Sequence, residues 1–275
     1  MTQPSARRHA LLIKIIVAIC GSALVAAILL LSPLWGICIL LSIVAGGGAF
    51  ELTVSTRWVT HRYLQALSVL QAIAVIWAFY FDLPAPGWLL WLFCAFLVAF
   101  TPAVFTEKAA GAAEGAASMF AAFVLPAVLS LFLFLFRLES GRIYMLVPLI
   151  AAWCGDSFAL LCGMAFGKHK LCPRVSPNKT VEGFFCGIAG GTLGTLLYGV
   201  ILHACGTDVS LLMFALVGAL GALCGALGDL TFSAIKRSVG IKDYSSLMPE
   251  HGGILDRFDS VLFALPLCAV WFSLF

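Results

Sequence analysis

The residues best suited to chemistry are acids placed where acids are costly. Asp256 and Asp259 stand three positions apart in the run Leu-Asp-Arg-Phe-Asp, so both carboxylates share a face if that run opens a helix. Upstream, Asp229 closes an otherwise uncharged stretch. Asp229, Ser233, Lys236 and Arg237 follow one another at helical spacing, a stripe from an acid through a hydroxyl to two cations. Asp156 sits inside an apolar run, where an ionisable group is unfavourable unless it is paired, hydrated or bound to an ion. Gly252-Gly253, just before Asp256, permit backbone geometries closed to other residues. Hard oxygen ligands, Lys/Arg cations and a pliable backbone make up the inventory for a divalent cation bridging phosphates. Carboxylates hold the ion, and the cations neutralise phosphate oxygens that the ion does not reach.

These residues gather in two polar loops. The first, 168–182 (KHKLCPRVSPNKTVE), has four basic residues and one acid, and Pro173 and Pro177 exclude a continuous helix. The second, 236–259, has four basic and four acidic residues. Basic loops are the ordinary product of membrane topology, which accounts for Lys168 and Lys170 but not for the acids.

The elements that must position the loops follow from composition. Of 275 residues, 62% are hydrophobic and 11% charged, and the mean hydropathy is +1.07. That excludes a soluble globular enzyme, a disordered chain and a nucleic-acid binder, and a net charge of +3 implies no polyanionic partner. Eight stretches lack Asp, Glu, Lys and Arg: 15–31, 33–50, 63–81, 83–106, 115–136, 183–207, 209–228 and 260–275. A further run, 143–167, is interrupted only by Asp156. At about 20 apolar residues per crossing, the expectation is an all-α polytopic integral membrane protein with about nine transmembrane helices and two polar cytoplasmic loops. The last span is short and borrows residues from its N-terminal side. With the N-terminus inside, nine crossings leave only Arg137 and Arg142 of the sixteen basic residues outside. The chain divides into N-terminal helices, 1–142, and a catalytic membrane region, 143–275, carrying both loops.

Smaller features are read structurally. The first segment is an uncleaved signal-anchor. The ten cysteines form no CxxC and no zinc-spaced cluster, and act as small apolar fillers. Gly187, Gly191 and Thr195 share a face, as do Gly221 and Gly225, for close helix packing. Gly46-Gly47-Gly48 ends or kinks a helix, and Ala109–Ala117 is a short connection with Glu107 and Glu114 solvated.

From Ser233 to Asp259 the chain resembles the signature of the phosphatidate cytidylyltransferases, or CDP-diacylglycerol synthases. The anchors are Ser233, Lys236-Arg237, Lys242-Asp243, His251-Gly252-Gly253, Asp256-Arg257 and Asp259. Ser176-Pro177-Asn178-Lys179-Thr180-Val181-Glu182-Gly183 is similar to the family's SPxKTxEG element, and Gly228-Asp229 to its Gly-Asp. The likeness is specific over 156–260 and compositional before that. The chain departs from the family at Asp156-Ser157-Phe158, where Asp-Thr-Gly is usual, and at Glu250, where Gly is common.

The resemblance implies that CTP and phosphatidate give CDP-diacylglycerol and pyrophosphate, with Mg²⁺ or Mn²⁺ as cofactor. It assigns Asp229, Asp256 and Asp259, with Asp156, to metal. Lys179, Lys236, Arg237 and Arg257 go to phosphate, with Ser176, Thr180 and Ser233 as hydroxyl partners. Glu182, Gly252 and Gly253 belong to the substrate-binding elements. His251 is a general acid, a hydrogen-bond donor or a packed loop histidine. Lys242-Asp243 contacts substrate or forms a structural ion pair. The partners implied are CTP, phosphatidate, membrane lipid and a second copy in a homodimer, with no nucleic acid. The location implied is a bacterial inner membrane, with N-terminus and site cytoplasmic and the C-terminus opposite. Two other readings stay open: a CTP-dependent polyprenol or phytol kinase, and a cation-coupled transporter.

Overall fold

The computed structural model describes residues 19–106, 109–247 and 252–274. In lipid a segment must satisfy its backbone hydrogen bonds internally, so apolar runs fold as helices. In chain order these are α1 (Ile19–Leu31), α2 (Leu34–Phe50), α3 (Arg62–Tyr80), α4 (Ala85–Ala99), α5 (Thr101–Thr106), α6 (Ala109–Met119), α7 (Leu125–Leu129), α8 (Leu131–Arg137), α9 (Gly141–Tyr144) and α10 (Leu146–Phe166). A two-stranded hairpin, β1 (Lys170–Cys172) and β2 (Ser176–Thr180), precedes α11 (Val181–Ala204), α12 (Leu211–Ser238) and α13 (Leu255–Leu274). π-Helical turns extend α2 through Glu51–Ser55 and α6 through Phe120–Val124.

Among the described residues, seven helices are long and apolar enough to cross a membrane: Leu34–Ser55, Arg62–Tyr80, Gly111–Arg137, Gly141–Phe166, Val181–Ala204, Leu211–Ser238 and Leu255–Leu274. The protein is an all-α polytopic membrane protein. The other two apolar runs give shorter helices, α1 and α4. The run 83–106 breaks at Phe100, where α4 ends and α5 restarts with Pro102 in its first turn, a position a proline tolerates. The final span does begin upstream of Ser260, at Leu255.

The loop 168–182 holds no continuous helix, as its prolines require, and forms a β-hairpin. Two local expectations need correcting. Ala109–Ala117 is helical, within α6, and Glu114 is buried rather than solvated. Its carboxylate accepts hydrogen bonds from the backbone N–H of Thr60 and of His61, each at 2.7 Å, and lies 2.9 Å from His61 Nδ1. The N–H groups at the entrance to α3 lack a partner within the helix, and the buried acid supplies an acceptor. Glu107 lies outside the described residues. Gly46-Gly47-Gly48 neither ends nor breaks α2, which runs on to Phe50; a Cβ on Gly46 would press on Ile73 of α3.

The chain separates into two units, 1–126 with 243–257, and 127–242 with 258–275. In the first, α2 packs on α3, and Trp88 stacks on Trp91 at 5.6 Å beside Val75 and Phe123. In the second, α10, α11 and α12 pack together through small residues. A Cβ on Gly187 would strike the Gly155 carbonyl, and one on Gly191 the Ala222 methyl. This is the close approach that the glycine spacing predicts. Val147, Phe214, Val217 and Cys268 form the apolar core of this unit. All ten cysteines are free thiols.

Candidate functional site

The hairpin is built first. Prolines keep 168–182 from continuing α10, and the strands pair antiparallel with Lys170 opposite Thr180 and Cys172 opposite Ser176. Glu182 closes its base: the carboxylate accepts from the backbone N–H of Lys168 at 3.1 Å and of His169 at 3.2 Å, and meets His169 Nδ1 at 2.6 Å. Thr180 caps α11, its hydroxyl oxygen accepting from Gly183 N–H at 3.1 Å. Arg237 donates to the carbonyl of Val175 at the hairpin tip at 3.2 Å and to that of Ile241 at 2.9 Å. Glu182, Thr180 and Arg237 therefore hold the loop in shape.

That shape delivers Lys179 to α12. Its Nζ lies 2.5 Å from Asp229 Oδ2, and Ser233, one turn on, donates to Asp229 Oδ1 at 3.1 Å. The acid-to-hydroxyl half of the predicted stripe is thus real. Its cationic half divides, with Lys236 buried and Arg237 turned to the hairpin. From α13, Ser260 donates to Asp156 Oδ2 at 2.6 Å and lies 3.2 Å from Asp259 Oδ1, so one hydroxyl bridges two carboxylates. Asp259 is only 6% exposed and within electrostatic range of Asp229, Asp156 and Lys236.

A cavity of about 500 Å³ lies in the same unit. Asp156, Asn178, Lys179 and Asp229 line it together with Leu160, Met164 and Phe184. Ser176 and Thr180 also line the cavity. A charged patch beside apolar helix faces accommodates a molecule with both characters.

The remaining predicted residues, Lys242 apart, belong to the first unit. Asp256 lies in the first turn of α13, and its Oδ2 accepts from the backbone N–H of Tyr244 and of Gly253, each at 2.9 Å. Gly252 has φ +75°, the left-handed region that glycine adopts freely. Asp243 and Arg257 bound this segment, and Lys242 ends the preceding stretch of the second unit. His251 and Glu250 lie outside the described residues.

Among the described residues, no group of three or more His, Cys, Asp or Glu side chains is arranged to hold a metal ion. The donor set around Asp229 and Asp156 is nevertheless all hard oxygen, which suits Mg²⁺ or Mn²⁺. Such ions commonly take one or two carboxylates and complete their shell with substrate phosphate and water.

Sequence reasoning misses Ser260 and Asn178. A hydroxyl directly after Asp259 at the entry to a span is the available signal for the first; Asn178 stands inside the recognised loop. It also misses Glu51, which has the look of a polar end to an apolar run.

Fold and site together define a polytopic helical membrane protein with a carboxylate–lysine cluster beside an apolar cavity. The chain belongs to the cytidylyltransferase family, which matches residues 12–275. It is 41% identical over 137 residues to a phosphatidate cytidylyltransferase of Staphylococcus epidermidis, covering 50% of this chain and 52% of that protein. A phosphatidate cytidylyltransferase of Staphylococcus aureus is 43% identical over 141 residues, again 50% of this chain and 52% of the relative. The chain thus spans about half the length of the curated relatives it matches.

Proposed function

We propose that the protein transfers the cytidylyl group of CTP to phosphatidate, forming CDP-diacylglycerol and pyrophosphate for phospholipid synthesis. The observation that carries this reading is the Lys179–Asp229 pair set in the wall of a cavity with apolar sides. One substrate comes from water and the other from lipid, and such a cavity suits both.

A phosphate oxygen of phosphatidate attacks the α-phosphorus of CTP. A new P–O bond forms, the bond to the α,β-bridging oxygen breaks, and pyrophosphate leaves with that oxygen. The nucleophile is already anionic near neutral pH, so positioning and charge neutralisation dominate. Lys179 and Lys236 neutralise phosphate oxygens, and Ser233 and Ser260 orient the carboxylates. Asp229, Asp259 and Asp156 are the residues that would hold Mg²⁺ or Mn²⁺, whose chemistry is to neutralise and align phosphate oxygens. The family resemblance extends this set to Asp256, and assigns Arg257 to phosphate. Leu160, Met164 and Phe184 receive the acylglycerol end.

The test is incubation of the purified protein with labelled CTP and phosphatidate. A lipid-soluble cytidine product with equimolar pyrophosphate is expected. Release of CDP with a phosphorylated alcohol would instead mark a lipid kinase, and ion-driven uptake into liposomes without CTP a transporter. The reading includes a bacterial inner-membrane location with the N-terminus and the hairpin cytoplasmic. Labelling of Cys172 by an impermeant reagent from that side alone checks the hairpin's side. The reading also includes a homodimer, checked by sedimentation in detergent.

A further inference from the structure

Glu51 stands in the π-helical turn after α2 and is 2% exposed. Its Oε1 accepts from the Ser245 hydroxyl at 2.6 Å and from Ile254 N–H at 2.9 Å, while Oε2 accepts from Leu255 N–H at 2.8 Å. Those two amides lie at the entrance to α13, where backbone N–H groups have no partner within the helix and a negative charge is favoured. The same turn is also closed internally, because Gly253 N–H donates to Asp256 Oδ2. A Cβ on Gly253 would come within 2.5 Å of both Glu51 carboxylate oxygens. A side chain at 253 would therefore displace the acid's carboxylate from these amides. A π-turn admits one extra residue, which rotates the side chains that follow it, and such turns recur at functional sites.

We propose that Glu51 is the positioning residue of the 252–257 turn. It fixes the backbone of Gly252, Gly253 and Arg257, the residues that the family resemblance assigns to substrate. The effect on activity rests on the function proposed above; the effect on the turn does not.

The test has two arms on the full-length protein in detergent. In amide hydrogen exchange, Glu51→Ala exposes Ile254 and Leu255, and their exchange accelerates by about tenfold or more. In kinetics, Glu51→Ala lowers kcat/KM by about 10–100-fold, the usual cost of losing a residue that orients active groups. Glu51→Gln, which keeps one acceptor oxygen, falls between it and the parent. Gly253→Ala reduces activity in the parent but costs little more in the Glu51→Ala background, because the collision is with the carboxylate. Unchanged exchange in folded Glu51→Ala, or full additivity of the two substitutions, overturns the proposal. Should Glu51→Ala not fold, Glu51→Gln and Gly253→Ala carry both arms. A parent protein inactive on CTP and phosphatidate refutes the proposed function, while the exchange arm still decides the role of Glu51.

Discussion

Replacing Lys179 with Met keeps most of the side chain's length and apolar stem but removes the ammonium 2.5 Å from Asp229. The two side chains are 25% and 24% exposed, so water screens the pair only in part. A hydrogen bond to a charged group contributes about 1.5–3 kcal/mol in such a setting, whereas an open-surface ion pair contributes about 0–1 kcal/mol. If that orientation is needed only in the transition state, about 1.36 kcal/mol per tenfold converts the loss to about 10–150-fold in kcat/KM. Of the two partners that hold Asp229, Lys179 and the Ser233 hydroxyl, the variant would keep the hydroxyl. The assay is the initial rate of lipid-soluble cytidine formation across CTP concentrations, with helicity and thermal unfolding measured on the same preparations. Lys179→Arg retains the charge and should recover part of the rate, though its planar fork does not reproduce an ammonium's geometry. A folded Lys179→Met protein within about twofold of the parent would refute the claim that hairpin and α12 act as one unit.

Other outcomes follow from the same geometry. Ser260→Ala removes the hydroxyl shared by Asp156 and Asp259 and should cost about 1–3 kcal/mol, read as a lower unfolding temperature and a slower rate; no change in either rejects the bridge. Chelation by EDTA should abolish turnover and Mg²⁺ or Mn²⁺ restore it, whereas activity that persists in chelator rejects the metal assignment. Asp256→Asn keeps an acceptor oxygen for Tyr244 and Gly253, so the turn should survive while turnover falls if the charge itself is used. Near-normal rates would confine Asp256 to anchoring its turn.

Much of the site is legible in the sequence because charge is rare in this chain. An Asp inside an apolar run must be compensated, so Asp156, Asp229 and Asp259 stand out, and helical spacing alone places Ser233 one turn from Asp229. Glycine spacing on α11 and α12 announces their close packing in the same way, since small residues in lipid mark where helices meet. Residue type alone does not show what a polar side chain bonds to within the protein: Arg237 donates to a hairpin carbonyl, whereas Glu182 and Thr180 accept from backbone N–H groups at its base.

Hydropathy by itself determined a helical membrane protein, and local periodicity determined which polar residues share a face, since both depend on neighbours along the chain. Only the tertiary structure decided that Lys179 reaches Asp229, that Ser260 bridges Asp156 and Asp259, and that Glu51 grips amides more than two hundred residues away. The same physics buries Glu114, which composition places in water. An unpaired N–H in a dry interior needs an acceptor, and which residue supplies it depends on how the helices pack rather than on its place in the sequence.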